Sequence, residues 1–173
     1  EPALPMDYGD APDPSYPTLA ISNGARHLQG YPIIYLGNLV DYELDGLPNA
    51  NANGDDTNNL ADEDGVVFTT PLIPGVPATI TVTASAGGGL FQGWIDFSGD
   101  GDWADSGEQI FTDVVLVAGA QSLTFIVPTF AVPGPTYARF RYSTMSGLPY
   151  YGCAPNGEVE DYKVLIYQQG QAY

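Results

Sequence analysis

Short runs rich in Val, Ile, Thr and aromatic residues recur at regular spacing from Val66 onward, and this pattern constrains the fold more than any other feature. Glycine and proline separate the runs, as in Pro74-Gly75 and Gly87-Gly88-Gly89, where turns are expected. The pattern predicts strands over residues 66–69, 78–84, 90–97, 109–116, 121–127, 136–143 and 159–167.

The predicted strand 78–84 shows how these runs are to be packed. Thr79, Thr81 and Thr83 alternate with Ile80 and Val82, which places the apolar side chains on one face. No window of eleven residues has a helical apolar stripe, which argues against parallel βαβ folds. We therefore predict an all-β fold, an antiparallel β-sandwich of the jelly-roll or Ig-like type.

The 173 residues suit a single domain with an extension at its N-terminus. Residues 1–30 hold five prolines among three aspartates, which predicts an extended arm with little regular structure, packed on the domain or projecting from it. A further strand is predicted over 31–36. We assign residues 31–167 to one sandwich domain and 168–173 to a short C-terminal tail.

The charge of the chain is strongly one-sided. Four Lys and Arg residues face 21 carboxylates, for a formal charge of −17. Such a surface repels nucleic acid and anionic lipid, and no apolar run reaches the ~20 residues of a membrane span, so we expect neither nucleic-acid binding nor membrane insertion. Residues 41–64 and 96–108 gather many of the acids without one basic residue, which indicates that cations neutralise them.

The segment from Asp96 to Glu108 has the donor spacing of a calcium loop. Oxygen donors alternate along it and Gly101 follows Asp100, which permits the sharp turn that a loop needs to curl around one ion. Glu108 lies one step beyond the terminal acid of an EF-hand loop. The alternative is a solvated acidic turn. The candidate ligands here are Asp96, Ser98, Asp100, Asp102, Asp105 and Glu108.

A second acidic cluster lies between Asp41 and Gly65. A structureless loop of this length is unusual in a compact domain unless an ion orders it, although a flexible Asn- and Asp-rich linker is the alternative. We expect at least one Ca²⁺ here, with the pairing of ligands left open. The candidate ligands are Asp41, Glu43, Asp45, Asn53, Asp55, Asp56, Asp62 and Asp64.

Other kinds of site find little support in the sequence. His27 is the one histidine, so zinc and iron sites built on imidazole lack ligands, and we predict no enzymatic activity. Cys153 is the one cysteine, which excludes an intramolecular disulfide and leaves an intermolecular one open. Tyr150-Tyr151 and Trp103 are candidates for stacking on sugars, with filling of the core as the alternative.

The chain carries a series of short motifs in a fixed order. They are Asp7 to Tyr16, Gly24 to His27, Asp55-Asp56 with Asp62 to Val66, Trp94 to Gln109, Arg139-Phe140-Arg141 and, at the end, Gly157-Glu158-Val159-Glu160-Asp161-Tyr162. With these motifs the chain resembles the GEVED domain, a module of bacterial secreted and cell-surface proteins that is named for the closing motif.

The resemblance implies an extracellular β-sandwich with bound calcium and no enzymatic activity. It does not imply any ligand besides the calcium. Ser98 departs from the family, which more often has Asn or Asp there, and this weakens the predicted calcium site between Asp96 and Glu108. Cys153 also departs from the family pattern. Arg139 and Arg141, two apart on one predicted strand, point to the same face and are expected to bridge to Glu158 or Glu160.

These observations lead to a functional hypothesis. We expect a secreted, cell-surface protein, because weak calcium loops fill only outside the cell, and we interpret Glu1-Pro2 as a processed terminus. The predicted function is a non-catalytic calcium-binding structural or adhesive module; the alternative is a carbohydrate-binding module. If the chain is a whole mature protein, its arm and Tyr- and Gln-rich tail favour a filament subunit joined by strand addition. Expected partners are copies of itself or other surface proteins, with a polysaccharide as a further candidate.

Overall fold

The computed structural model of the protein describes residues 6–54 and 63–170, and strands dominate this part of the chain. A single 3₁₀ turn, Ala20–Ser22, is the one helical element among the described residues. No helix there has the length and apolar character needed to span a membrane. The strands are β1 (Met6–Tyr8), β2 (Arg26–Leu28), β3 (Val66–Phe68), β4 (Pro77–Ala84), β5 (Leu90–Ile95), β6 (Gln109–Val115), β7 (Gly119–Ile126), β8 (Gly134–Ser143), β9 (Cys153–Ala154) and β10 (Glu158–Ile166).

The strands form three sheets. A four-stranded sheet has the order β10-β8-β5-β6 and a three-stranded sheet the order β3-β4-β7, with every pair antiparallel. A small third sheet, β1-β2-β9, contains one short parallel pair between β2 and β9. The predicted all-β class is confirmed, and the strands predicted beyond Val66 match β3 to β8 and β10 closely.

One hydrophobic core joins the four-stranded and three-stranded sheets. On β4, Ile80 and Val82 are fully buried while the threonines between them are half-buried, as the alternation predicts. They share a cluster with Phe91 and Phe140 of the other sheet, whose rings stack at 5.5 Å between centroids. Burying each such side chain contributes about 1.5–3 kcal/mol, so this core supplies the main stability of the two layers.

The outer face of the four-stranded sheet carries a second, smaller core. Trp94 on β5 pairs with Arg139 on β8, so both side chains point to the same face, away from the first core. Ala11 and Tyr16 from the N-terminal segment pack there, together with Trp94 and Trp103. Residues 6–30 therefore lie against the sheet, and they contain more regular structure, β1, β2 and the 3₁₀ turn, than the sequence predicted.

The strand predicted over 31–36 is wrong. Only Leu36 forms a bridge, to Ala84, and the segment is otherwise irregular. The backbone N–H groups of its last two residues donate to side chains instead of a neighbouring strand: Tyr35 to Ser85 Oγ at 2.8 Å and Leu36 to Glu158 Oε2 at 2.5 Å. Apolar composition alone suggested a strand, but its pairing with β4 is limited to this one bridge.

Candidate metal site

The loop from Asp96 to Glu108, here called the central loop, connects β5 to β6, and its two ends are bonded to each other. The N–H of Ile95 donates to the carbonyl oxygen of Glu108 at 3.0 Å, so the two ends of the loop are held side by side. Gly101 and Gly107 have φ angles of 100° and 95°, a region that side-chain-bearing residues rarely adopt. The glycines thus allow the chain to fold back on itself inside the loop.

Three carboxylates meet within this loop. One oxygen from each of Asp96, Asp100 and Glu108 lies within 4.8 Å of the other two. Calcium binds oxygen at about 2.3–2.6 Å, so two ligands on opposite sides of the ion are about 5 Å apart, and the spacing fits. Asp96 is 1% exposed and Glu108 is 0% exposed, whereas Asp100 faces solvent. The group therefore has a dry side in the protein and an open side toward water.

The loop backbone and an aromatic hydroxyl orient Asp96. Its Oδ1 accepts from the N–H of Gly99 at 2.6 Å, and its Oδ2 accepts from the N–H of Gly101 at 3.1 Å and from the Tyr16 hydroxyl at 2.5 Å. Burial, followed by the bond to Asp96, raises the pKa of the Tyr16 phenol, so the phenol remains a donor. Sequence reasoning missed Tyr16, because no spacing rule connects it to a loop eighty residues away.

Glu108 is a buried carboxylate beside another one. Burial raises the pKa of its carboxyl and the charge of Asp96 raises it further, while hydrogen bonds partly offset the rise. Those bonds come from the N–H groups of Ser98, at 3.1 Å from Oε1, and Asp105, at 3.3 Å from Oε2. A cation among these carboxylates would stabilise the ionised form of both acids, so the donor set fits Ca²⁺.

The other predicted ligands of this loop take different roles. Ser98 Oγ donates to Asp96 Oδ1 at 3.2 Å, which makes it a support for a ligand. Asp102 Oδ1 accepts from the N–H of Ala104 at 2.7 Å, and the Asp105 side chain is exposed. Neither carboxylate belongs to the group of three.

The described ligands of the second acidic cluster are spread over separate partners. Glu43 Oε1 accepts from the N–H of Tyr8 at 2.6 Å, and Asp45 Oδ1 from the N–H of Ala20 at 2.7 Å. Asp41 Oδ1 accepts from the N–H of Tyr42, at 2.8 Å. Glu43 and Asp45 therefore hold the N-terminal segment against the loop that follows it, while the bond of Asp41 stays within that loop.

The remaining members of the cluster behave similarly or lie outside the description. Asp64 receives the backbone N–H and the side-chain amide of Asn38, and Asn53 Oδ1 accepts from Asn49. Asp55, Asp56 and Asp62 fall outside the described residues. Within residues 6–54 and 63–170, the one group of three metal-type side chains is that of the central loop, so the second calcium site stays a prediction.

The central loop and the closing motif both fall inside one family match. Residues 90–165 match the family model of the GEVED domain. This part of the chain is a GEVED domain. The match begins at β5 and ends within β10, so it contains the candidate metal site and leaves the N-terminal segment outside. Comparison with curated proteins found no match, and comparison with solved structures found none either.

In the GEVED domain the closing motif ties distant segments to the sheet. Gly157 has a φ of 94°, and a Cβ there would overlap the carbonyl oxygen of Tyr142. The carboxylates that follow accept backbone N–H groups from elsewhere: Glu158 from Leu36, and Glu160 Oε1 from Gly65 at 2.8 Å. Both acids are fully buried, so the motif fastens the segments that flank the second acidic cluster.

The expected bridge from the arginines to Glu158 or Glu160 is wrong. Arg139 pairs with Asp161 instead, through Nε at 2.7 Å and Nη2 at 2.6 Å, with both side chains 0% exposed. The strand register explains the difference, because Asp161 lies directly opposite Arg139 while Glu160 points to the other face. Asp161 Oδ2 also accepts the N–H groups of Asp10 and Ala11, which anchors the N-terminal segment.

His27 is built into the same outer layer. It is fully buried, with Nδ1 at 2.8 Å from the carbonyl oxygen of Asn156 and Nε2 accepting from Arg141 Nε at 3.0 Å. This pattern assigns the proton to Nδ1 of a neutral ring. Burial, followed by the charge of Arg141, holds the pKa of His27 well below its usual range. Both ring nitrogens are therefore engaged by protein groups.

Proposed function

We propose that the protein is a non-catalytic, extracellular structural or adhesive module of the β-sandwich type whose central loop binds Ca²⁺. The observation that carries this proposal is the convergence of Asp96, Asp100 and Glu108 within 4.8 Å, with two of the three buried. Buried carboxylates that lie together destabilise a protein unless a cation or a proton neutralises them, and a cation does so while both stay ionised.

The chemistry of the donors favours calcium over other common metals. All three side chains offer oxygen, and neither His27 nor Cys153 belongs to the group. Zinc prefers nitrogen and sulfur ligands, and Mg²⁺ demands a tight octahedron and retains most of its water. Calcium accepts six to eight oxygens in flexible geometry, so backbone carbonyls or water on the open side of the loop complete its shell.

The role of the site is structural because of where its ligands stand. Asp96 directly follows β5 and Glu108 directly precedes β6, while the Tyr16 hydroxyl connects Asp96 to the N-terminal segment. A bound ion supplies charge compensation at the point where these three parts meet. The carboxylates belong to a connection of thirteen residues, and an ion bound to them restricts the conformational freedom of that connection.

The non-catalytic part of the proposal rests on the use of the reactive groups. The one histidine gives both ring nitrogens to the protein, and Asp96 and Glu108 accept hydrogen bonds from their own loop. A general base needs a lone pair that reaches a substrate. An extracellular location is proposed because loops of this open kind bind calcium weakly and fill where calcium is abundant.

Calorimetric titration with Ca²⁺ tests the metal site through two neighbouring acids. Asp100→Asn should weaken binding by at least about tenfold, because it removes one charged ligand of the group. Asp102→Asn is the matched control, since it makes the same change two residues away in a carboxylate outside the group. No heat of binding with the unaltered protein, or equal loss in both variants, would refute the assignment.

Self-association by strand addition is the sharper form of the proposal. β3 and β10 are edge strands of different sheets, and a groove of about 380 Å³ lies between residues 68–72 and 163–167. An extended strand from a second copy can pair with such an edge. Light scattering should show larger species in excess Ca²⁺ and monomers after EGTA; monomers under both conditions would contradict assembly while leaving the calcium site intact.

A further inference from the structure

A groove lined by aromatic and polar side chains lies beside the central loop, on the outer side of the four-stranded sheet. Its volume is about 470 Å³, and its walls include Trp94, Trp103, Asp105, Gln109 and residues 147–151. The size is that of a small-molecule site. Residues 147–151 follow β8 and residues 103–105 belong to the loop between β5 and β6, so the fold brings two separate segments together here.

The aromatic side chains form a braced platform. The ring of Tyr151 is 42% exposed and stands at 5.1 Å from the Tyr150 ring, at an interplanar angle of 82°. Tyr150 in turn packs edge-on against Trp94 at 6.3 Å and Trp103 at 5.9 Å. Trp103, a sequence candidate for stacking, is 2% exposed and supports the platform from below. Tyr151 is therefore the most exposed of the aromatic side chains that line the groove.

Two buried arginines hold the backbone of this segment. Arg141 Nη1 donates to the carbonyl oxygens of Pro149 and Tyr151, both at 2.7 Å, and Arg139 Nη1 donates to that of Tyr150 at 2.9 Å. Both guanidinium groups are 0% exposed. The backbone around Tyr151 is thus fixed before any ligand arrives, which lowers the entropic cost of binding.

The polar side chains of the groove offer complementary hydrogen-bonding groups. Asp105, Gln109 and Thr112 are exposed and contribute a carboxylate, an amide and a hydroxyl to its walls. A flat apolar ring beside several short polar groups suits a ligand that has an apolar face and many hydroxyls. Asp105 and the charge of −17 repel polyanions.

We propose that this groove binds a neutral saccharide chain, with Tyr151 stacking on one sugar ring and Asp105, Gln109 and Thr112 donating to or accepting from its hydroxyl groups. This function goes beyond the proposed calcium module. The stacking ring of Tyr151 lies outside the central loop, whereas Trp103 and Asp105 belong to that loop, so the groove is tested with Ca²⁺ present. The groove gives an adhesive surface module a defined target.

Affinity electrophoresis in gels of soluble neutral polysaccharides tests the proposal with the whole chain. The probes are a β-1,3-glucan, xyloglucan, galactomannan and dextran, with hyaluronan as the polyanionic comparison and Ca²⁺ present throughout. We expect at least one neutral probe to retard the protein and hyaluronan to leave it unretarded. Retardation by none of the neutral probes, or by hyaluronan alone, would overturn the proposal.

Two variants then locate the binding. Tyr151→Ala should weaken binding to the retarding probe by about tenfold, while Tyr151→Phe should retain it, because the stacking ring is kept. Tyr31→Ala is the control, since Tyr31 is 94% exposed and lies outside the groove. Equal loss of binding in Tyr31→Ala and Tyr151→Ala would show non-specific adhesion and refute the site. If the thermal transition shows that Tyr151→Ala is unfolded, two other variants decide the proposal. Thr112→Ala should then weaken binding and Tyr151→Phe should retain it.

Discussion

Replacing Arg139 by Met leaves the carboxylate of Asp161 buried without its cationic partner. In the folded protein Asp161 receives two charge-assisted hydrogen bonds from Arg139, and both side chains are 0% exposed. Removing one member of a buried ion pair costs about 3–5 kcal/mol, because the remaining charge keeps its desolvation penalty without compensation. Arg139 also donates to Pro17 and Thr18, and its guanidinium lies 4.8 Å from the centre of the Trp103 ring, so we expect a loss toward the upper end of that range.

The double variant Arg139→Met/Asp161→Asn separates the stranded charge from the lost contacts. Asparagine keeps an oxygen that can accept the N–H groups of Asp10 and Ala11 but carries no charge. The double variant should therefore be about 2 kcal/mol more stable than the sum of the two single losses. Urea unfolding of all four proteins gives the coupling free energy. Additive losses, or a loss below about 1 kcal/mol for Arg139→Met, would refute the reasoning.

Three further predictions follow from individual contacts. Gly157→Ala should lower the free energy of unfolding by about 2 kcal/mol or more, and clearly more than Gly119→Ala. Both glycines have φ near 90°, but of the two only Gly157 has a carbonyl oxygen where the Cβ would stand. Urea unfolding compares the two variants, and equal losses would contradict the steric argument. Tyr16→Phe removes the hydroxyl that donates to Asp96 and should weaken Ca²⁺ binding about tenfold in calorimetry. Tyr137→Phe is the control, because it loses a hydrogen bond to Ala50 instead and should leave the affinity unchanged. Equal affinities of the two variants would exclude Tyr16 as a support for Asp96. The free energy of unfolding should fall as pH drops from about 7 to about 5.5, by up to about 1.4 kcal/mol per pH unit. The reason is that His27 takes up a proton near its usual pKa of 6.5 when unfolded but not when folded. An unchanged slope in His27→Gln would refute this.

The strands that could be predicted are those whose signal is local. In β4 the alternation of threonine with Ile80 and Val82 fixes the element and its buried face without reference to any other part of the chain. β1, β2 and β9 have three residues or fewer, too short for a period to be visible, and they lack an apolar run like Val66–Phe68, which made the equally short β3 predictable. They form because they pack against the outer face of the four-stranded sheet. Their own residues do not predict this packing.

Long-range pairing explains the errors at the level of single side chains. The sequence indicated that Arg139 and Arg141 share a face, and that inference holds. The predicted partner of Arg139, Glu160, was wrong by one residue. Strand register decides whether Glu160 or Asp161 lies opposite Arg139, and a shift of one residue exchanges the two faces of the sheet. In the central loop, donor spacing indicated Asp96, Asp100 and Glu108, which lie together, but it could not separate them from Asp102 and Asp105 or point to Tyr16.

The position of the closing motif indicates why its acids are buried at all. Asp7 Oδ2 accepts the N–H of Val159 at 2.6 Å, and Asp161 accepts N–H groups from the same N-terminal segment, so the segment and β10 exchange hydrogen bonds in both directions. An apolar side chain at either position would bury the same area and leave these N–H groups without an acceptor, at a cost of about 1–3 kcal/mol each. The acids of the GEVED motif therefore accept backbone N–H groups from segments that lie outside the named strands, and the N-terminal segment is an integral layer of the fold. Deleting residues 6–30 should for this reason expose both buried arginines and destabilise the GEVED domain itself.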